Sequence, residues 1–189
     1  MSHIVEQKAK YNNLEALRRA AQQVGCELVL PSGCRIETWE DAQHGILSKI
    51  VGASGGEVRS GMQMKSYFNG RTANDCAAII RVQPDLVKQQ HGHAPYEIGV
   101  VPDVLHGGWK VKHDSHMGGY GLEDRVGKTV MGQDCRPITE APWLLQAYTI
   151  ENARMTAESH GYAVTQYKMA DGRIILEAEK ADEVQPVYA

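Results

Sequence analysis

Residues that could bind an anionic aromatic ligand are concentrated between positions 104 and 136. Lysines, arginines and the amides of a glycine-rich backbone suit phosphate groups, and aromatic rings can stack on a base. The pattern predicts a site for a small anionic ligand or a nucleotide, formed by Trp109, Lys110, His113, His116, Tyr120, Arg125 and Lys128. The alternative interpretation is a glycine-rich loop that packs on its own sheet or on a second subunit.

Histidines recur nearby at spacings that permit metal binding. His91 and His93 form an H-x-H pair, and His113 and His116 form an H-x-x-H pair. Imidazoles with carboxylates suit zinc, manganese or iron, but a site needs three or four converging ligands. We favour polar loop histidines, in solvent or bonded to backbone, and therefore predict neither a metal site nor a cofactor.

The same histidines define an enzymatic alternative. His106, His113 and His116 could bind a metal or act as acid–base groups on a phosphoester, with Arg125 and Lys128 stabilising the oxyanion. No Gly-x-Ser-x-Gly motif and no cysteine-enzyme signature is present in the sequence, so we assign no catalytic residue.

Residues 121–129, GLEDRVGKT, resemble a phosphate-binding P-loop without matching it. Five residues separate Gly121 from Gly127, where a P-loop has four, because its amides must close around a phosphate before the helix begins. The sequence therefore predicts a surface turn here. The four cysteines include no C-x-x-C pair, and we expect buried thiols without a redox role.

The elements that would position these residues begin with a β-α-β unit. Residues 3–9 predict a strand, and a helix follows with a capping-box-like start at Asn12 and a glycine cap at Gly25. Residues 26–30 predict a second strand. Three further strands, over 76–82, 96–101 and 109–113, have short connections, which favours antiparallel pairing.

The C-terminal part predicts a helix and a hairpin. Pro142 lies in a first helical turn, Gly161 closes the helix, and an apolar stripe recurs at Trp143, Ile150, Ala153 and Ala157. Strands over 162–169 and 173–179 flank an Asp-Gly pair, which is a strong hairpin signal.

This order of elements predicts the α+β class: an antiparallel sheet with two helices on one face, with a ferredoxin-like core. We expect a single domain over 1–189, with long glycine-rich insertions at 31–75 and 114–138. The longest apolar run, residues 76–80, is far below the ~20 residues of a membrane helix. A net charge of −3 argues against a general nucleic-acid coating role, and we expect a cytoplasmic protein with no membrane partner.

Three parts of the sequence resemble a known protein family. They are the opening MSHI with its leucine helix, the segments AAIIRV and YEIGVV leading into GGW, and the closing QAYTIENARMTAESHGYAVTQYKMADGRIILEAE. Together they resemble the hypothetical chloroplast reading frame thirty-five family of plastids, cyanobacteria and phages, over roughly 1–30, 76–113 and 142–179. That family is a domain of unknown function, so the resemblance implies a fold and no chemistry. Because members occur in phage genomes, the resemblance is compatible with a viral origin, and a viral protein would lie in the host cytoplasm.

The sequence leads to one functional hypothesis with two alternatives. We expect a non-catalytic, self-associating protein that binds a small anionic ligand, a nucleotide or a protein partner. If the protein is viral, sequestering a signalling nucleotide is a concrete form of this hypothesis. The alternatives are the metal- or histidine-dependent phosphoester hydrolase and a structural or adaptor component.

Overall fold

The computed structural model describes residues 4–6, 11–30, 34–37, 49–52, 76–102, 108–131, 137–140 and 143–180. Its helices and strands, in chain order, are β1 (Ile4–Glu6), α1 (Leu14–Gln23), β2 (Cys26–Val29), β3 (Cys34–Glu37), β4 (Lys49–Gly52), β5 (Ala78–Val82), β6 (Ile98–Pro102), β7 (Trp109–Asp114), α2 (Glu123–Val126), β8 (Lys128–Met131), β9 (Pro137–Glu140), α3 (Trp143–Ser159), β10 (Tyr162–Lys168) and β11 (Ile174–Lys180).

The central sheet has five strands in the order β1-β7-β6-β5-β2, and each neighbouring pair is antiparallel. Strands β5, β6 and β7 form a meander in the middle, and β1 and β2 are its two edges. Four antiparallel steps make β1 and β2 parallel to each other, so they form a split β-α-β unit across the meander. The predicted α+β class with an antiparallel sheet is confirmed, and the split unit is a feature of ferredoxin-like cores.

Helix α1 forms because its apolar residues recur on one face and its start is capped. Leu14, Leu17 and Ala21 are buried. The Asn13 side chain accepts a hydrogen bond from the Ala16 amide at 3.0 Å, which makes Asn13 the N-cap. The predicted cap, Asn12, is one residue too early, because the side chain that reaches the third helical residue belongs to Asn13.

The core lies between one face of the sheet and the helices α1 and α3, which contact each other. Ile80, Ile98, Val100 and Val111 of the sheet belong to the same buried cluster as the helix residues. The rings of Tyr11 and Tyr148 meet edge to face at 4.7 Å in this cluster. The core therefore joins residues from both ends of the described chain.

Helix α3 buries a different face from the predicted stripe. Its buried side chains are Leu144, Ala147, Tyr148 and Glu151, and Trp143 and Ala153 are exposed. Buried Glu151 accepts a hydrogen bond from Gln23 on α1 and forms an ion pair with Arg154 at 3.4 Å. These partners allow a carboxylate to occupy the helix interface, which an apolar pattern cannot predict.

The predicted hairpin is present as β10–β11, with Asp171 and Gly172 in its turn. Its strands are antiparallel, from Tyr162 opposite Lys180 to Lys168 opposite Ile174. In the 31–75 segment the structure describes the pair β3–β4, and its other residues lie outside the described ranges. None of the helices in the described ranges is long and apolar enough to span a bilayer.

Candidate functional site

Strand β7 places the first predicted ligand residues on two sides of the sheet. Trp109, Val111 and His113 alternate toward the core, and Lys110 between them is half-buried. Trp109 is only 3% exposed, and its main chain exchanges hydrogen bonds with Tyr11 at 2.7 and 3.1 Å. The indole is therefore part of the core, where a ligand cannot stack on it.

The residues after β7 form a turn of left-handed helix within the segment His116–Gly121. Met117, Gly118, Gly119 and Tyr120 all have φ between 52° and 63° and ψ between 27° and 46°. A left-handed conformation costs about 1–2 kcal/mol for each residue with a side chain, and the two glycines lower the total cost of the turn because they have no Cβ atom. Its carbonyl at Gly119 accepts a hydrogen bond from the Tyr96 amide at 2.9 Å, which ties the turn to the start of β6.

The Tyr120 ring is held by three other rings. His93 stacks on it with a centroid separation of 4.6 Å, and Tyr96 and His116 approach edge-on at 5.0 and 6.1 Å. Tyr120 is buried as a result, and His116 is half-buried. The structure thus brings together two of the predicted residues, Tyr120 and His116, in a cluster whose aromatic contacts are internal to the protein.

A buried imidazole and carboxylate lie beside this turn. The Nε2 atom of His113, a residue only 1% exposed, is 3.3 Å from the Oε1 atom of Glu123 on α2. An imidazole beside a carboxylate is a common arrangement in catalytic sites, but this imidazole is almost completely buried. In the described ranges no three side chains of His, Cys, Asp or Glu converge as metal ligands, and His106 lies outside those ranges.

A separate cleft of about 180 Å³ lies between the end of β5 with its following segment and helix α2. Its ionisable residues are Lys88, Arg125 and Asp124, which leaves one net positive charge. The complete lining is Val82, Leu86, Lys88, Gln90, Pro95, Gly121, Asp124 and Arg125.

Gln90 and Gly121 form one wall of the cleft through a close approach. A Cβ atom at Gly121, where φ is +95°, would lie 2.9 Å from the Gln90 Nε2 atom. That nitrogen donates a hydrogen bond to Asp124 at 3.4 Å. Gln90 also exchanges backbone hydrogen bonds with His93 at 2.9 Å across a two-residue turn, so the wall is fixed to the aromatic cluster.

Arg125 crosses from α2 to the end of α1. Its Nη1 atom is 2.9 Å from the position that a Cβ atom of Gly25 would occupy, so the guanidinium lies directly against this glycine. Among the described residues none forms a hydrogen bond or an ion pair with this guanidinium. Burial raises the pKa of the neighbouring Cys26 thiol to about 12, and the Arg125 charge acts in the opposite direction.

Arg125 is the one member of the predicted ligand set that lines the cleft. Lys128 is exposed at the start of β8, and residues 121–129 contain the short helix α2 in place of a simple surface turn. Sequence reasoning missed Lys88 and Gln90, because a single lysine and glutamine after a proline-containing turn carry no motif. His91 and Gly92, which both have a positive φ, form the two-residue turn beside them, and the glycine was the available signal in the sequence.

No protein-family model matches the chain, and no curated protein and no solved structure matches it. Membership of the chloroplast reading frame family therefore stays a prediction, and the functional argument rests on the geometry of the chain.

Proposed function

We propose that this chain is a non-catalytic binding protein whose cleft at Arg125 holds the phosphate group of a small anionic ligand. The observation that carries the proposal is a half-buried guanidinium lining a cleft without a protein partner in the described ranges. A guanidinium presents a planar fork of donors that matches phosphate, and it stays charged at any physiological pH.

The other lining groups support an anion in this position. Lys88 adds a second positive charge, and the carboxylate of Asp124 is already paired with the Gln90 amide at 3.4 Å. Gln90 lies against Gly121, so its side chain would have to shift to admit a larger residue at position 121. Lys88 and Arg125 together provide the positive charge that anion binding needs.

The size of the cleft limits the ligand. A volume of about 180 Å³ is below the ~300 Å³ that the smaller pockets for drug-sized ligands reach. A phosphate fits such a volume, and a whole nucleotide does not. If the natural ligand is a nucleotide, its base and sugar extend beyond the residues that line the cleft.

The hydrolase alternative is less favoured by the position of His113. Its ring is almost completely buried and faces Glu123, whereas a general base must reach the substrate. A reaction at this pair would require a conformational change that exposes the His113 ring. Anion binding at the cleft needs no such change.

Titration with inorganic phosphate tests the proposal directly. We expect Arg125→Met to weaken phosphate binding by at least about tenfold, because hydrogen bonds to a charged group contribute roughly 1.5–3 kcal/mol. Isothermal calorimetry or amide chemical shifts of residues 121–126 would measure the affinity. Lys88→Met should give a smaller loss, since Lys88 is more exposed than Arg125.

Lys128→Met is the matched control, because it removes one positive charge three residues away and outside the cleft. Phosphate affinity should stay within about twofold of the unmodified chain. Equal losses in the Arg125 and Lys128 variants would mean a diffuse charge effect and would reject the site. Absence of phosphate binding to the unmodified chain would also reject it.

A further inference from the structure

The C-terminal hairpin, β10–β11, is so exposed that contacts between its two strands cannot stabilise it alone. No side chain in either seven-residue strand is buried, and Tyr162, Tyr167 and Ile175 are among the exposed large apolar residues. A two-stranded hairpin is only marginally stable in water, and further strands or a packed helix are needed. Helix α3 supplies part of that support, for example through the Arg154–Gln166 hydrogen bond of 2.8 Å.

The two edges of this hairpin differ in charge. Within the described ranges, β10 and β11 pair only with each other, so each strand has one unpaired edge. Strand β11 carries Glu177, Glu179 and Lys180, whereas β10 carries a single charge, Lys168, at its end. Charged residues protect edge strands from pairing with another chain, and β10 lacks that protection.

We propose that β10 pairs with β10 of a second copy of this chain, in antiparallel orientation, to form a four-stranded sheet across a two-fold axis. Full overlap of the strand places Thr165 on the axis, opposite Thr165 of the second copy. Tyr167 then faces Ala163, and Lys168 faces Tyr162 of the second copy. No like charges meet in this register.

The equivalent antiparallel pairing of β11 with β11 of a second copy is unfavourable. It would place Glu177 directly opposite its own copy, about 5 Å away, which is destabilising for like charges. In the β10 dimer the two Glu177 side chains are separated by three inter-strand spacings of about 4.8 Å, or roughly 14 Å. That separation exceeds the Debye length of about 8 Å in physiological salt, so their repulsion is screened.

The backbone of β10 is oriented for this pairing. The Met169 amide donates to the Arg173 carbonyl at 2.8 Å, so alternate residues before it, including Thr165, direct their backbone groups toward β11. Val164 and Gln166 therefore direct their N–H and C=O groups to the free edge. In the proposed register these two residues face each other across the axis and exchange hydrogen bonds.

A cysteine on the axis tests the register. Facing residues of a non-hydrogen-bonded antiparallel pair have Cα atoms about 4.5 Å apart, within the range for a disulfide. In a chain with Cys34→Ser and Cys135→Ser, we expect Thr165→Cys to form a covalent dimer under mild oxidation. Ala178→Cys on β11 is the matched control, because it leaves the Glu177 charge in place, and it should react at least about tenfold more slowly, since its sulfurs are held apart in the β10 dimer.

Proline substitutions test the hydrogen bonds in solution. Val164→Pro removes an amide that the hairpin does not use, and it should raise the dimer dissociation constant roughly 10- to 100-fold, since two symmetric hydrogen bonds are lost. Ala178→Pro makes the equivalent change at the free edge of β11 and should leave the dimer intact. Sedimentation velocity over a wide concentration range measures association, and circular dichroism checks that both variants are folded.

An unmodified chain that stays monomeric at high concentration would overturn the proposal. Equal crosslinking of the two cysteine variants, or equal weakening by the two prolines, would overturn it as well. The interface is independent of the Arg125 cleft, because none of its residues lines that cleft. Loss of dimerisation and loss of phosphate binding are therefore separate results.

Discussion

Met117 and Tyr120 have the same unfavourable backbone conformation, but their side chains differ in how much packing stabilises them. Both have φ of 52° in the left-handed turn. The Tyr120 ring gains contacts with His93 and Tyr96, which offset the unfavourable conformation. The Met117 side chain is 56% exposed, so it recovers little from packing.

We predict that Met117→Gly stabilises the protein. Relief of the left-handed strain, about 1–2 kcal/mol, exceeds the entropic cost of a glycine, about 0.5–1 kcal/mol, so the free energy of unfolding should rise by about 0.5–1 kcal/mol. Urea denaturation measures this change. Met169→Gly is the control, because Met169 is also exposed but has an ordinary negative φ, and it should destabilise.

At the scale of elements, one hydroxyl group on α3 contacts the start of α1. The Tyr148 hydroxyl on α3 accepts hydrogen bonds from the Asn12 and Asn13 amides at 2.7 and 3.2 Å, where α1 begins. The first amides of a helix have no partner within the helix. Tyr148 therefore acts as a cap supplied by another element, in addition to the Asn13 side chain.

Tyr148→Phe should lower the free energy of unfolding by about 1–3 kcal/mol. The ring still fills its place beside Tyr11, but the amides at the start of α1 lose their acceptor. Tyr162→Phe removes a hydroxyl from an exposed tyrosine and should have little effect. Thermal denaturation of both variants would measure the difference, and similar melting temperatures would contradict the capping role.

Elements with local signals could be predicted from the sequence. Leucine spacing with Gly25 identified α1, and the Asp171-Gly172 pair identified the hairpin turn. The buried face of α3 could not be predicted, because it depends on Gln23 and Arg154 as partners of Glu151. Such pairings depend on where α1 docks, and no spacing along α3 contains that information.

The candidate site could be predicted only in part from the sequence, for the same reason. Arg125 belonged to the predicted set, but Lys88 joins it through the packing of two segments that are far apart in sequence. His113 could have been assigned to the core, since it alternates with Trp109 and Val111 along β7. The chemistry of the imidazole indicated a ligand-binding role for His113, whereas the alternation along the strand correctly indicates its burial.

At the scale of the whole molecule, several buried groups are neutral acids whose pKa values are raised. Burial raises the pKa of the Cys26 thiol to about 12, and it also raises the pKa values of the Tyr11 and Tyr148 hydroxyls. In the unfolded chain a thiol titrates at about 8.5. A group with a raised folded pKa contributes stability below its unfolded pKa and loses that contribution as the pH rises toward the folded value.

We therefore predict that stability falls at alkaline pH. Between pH 8.5 and 10 the thiol contribution decreases by up to about 1.4 kcal/mol per pH unit, because the unfolded thiol ionises and the folded thiol does not. Urea denaturation at several pH values measures this slope. Cys26→Ala should be less stable at neutral pH but should show a shallower alkaline decline, and parallel declines would assign the effect to other groups.

The split β-α-β unit has a consequence for how the chain is made. When the ribosome has released β1, α1 and β2, the two strands have no sheet to join, because their partners are β7 and β5. The last of these partners ends at Asp114, and the Tyr148 cap of α1 is released later still. Such long sequence separations slow folding, so β1, α1 and β2 of the nascent chain are expected to stay undocked, with the apolar face of α1 open to chaperones, until Tyr148 has been synthesised.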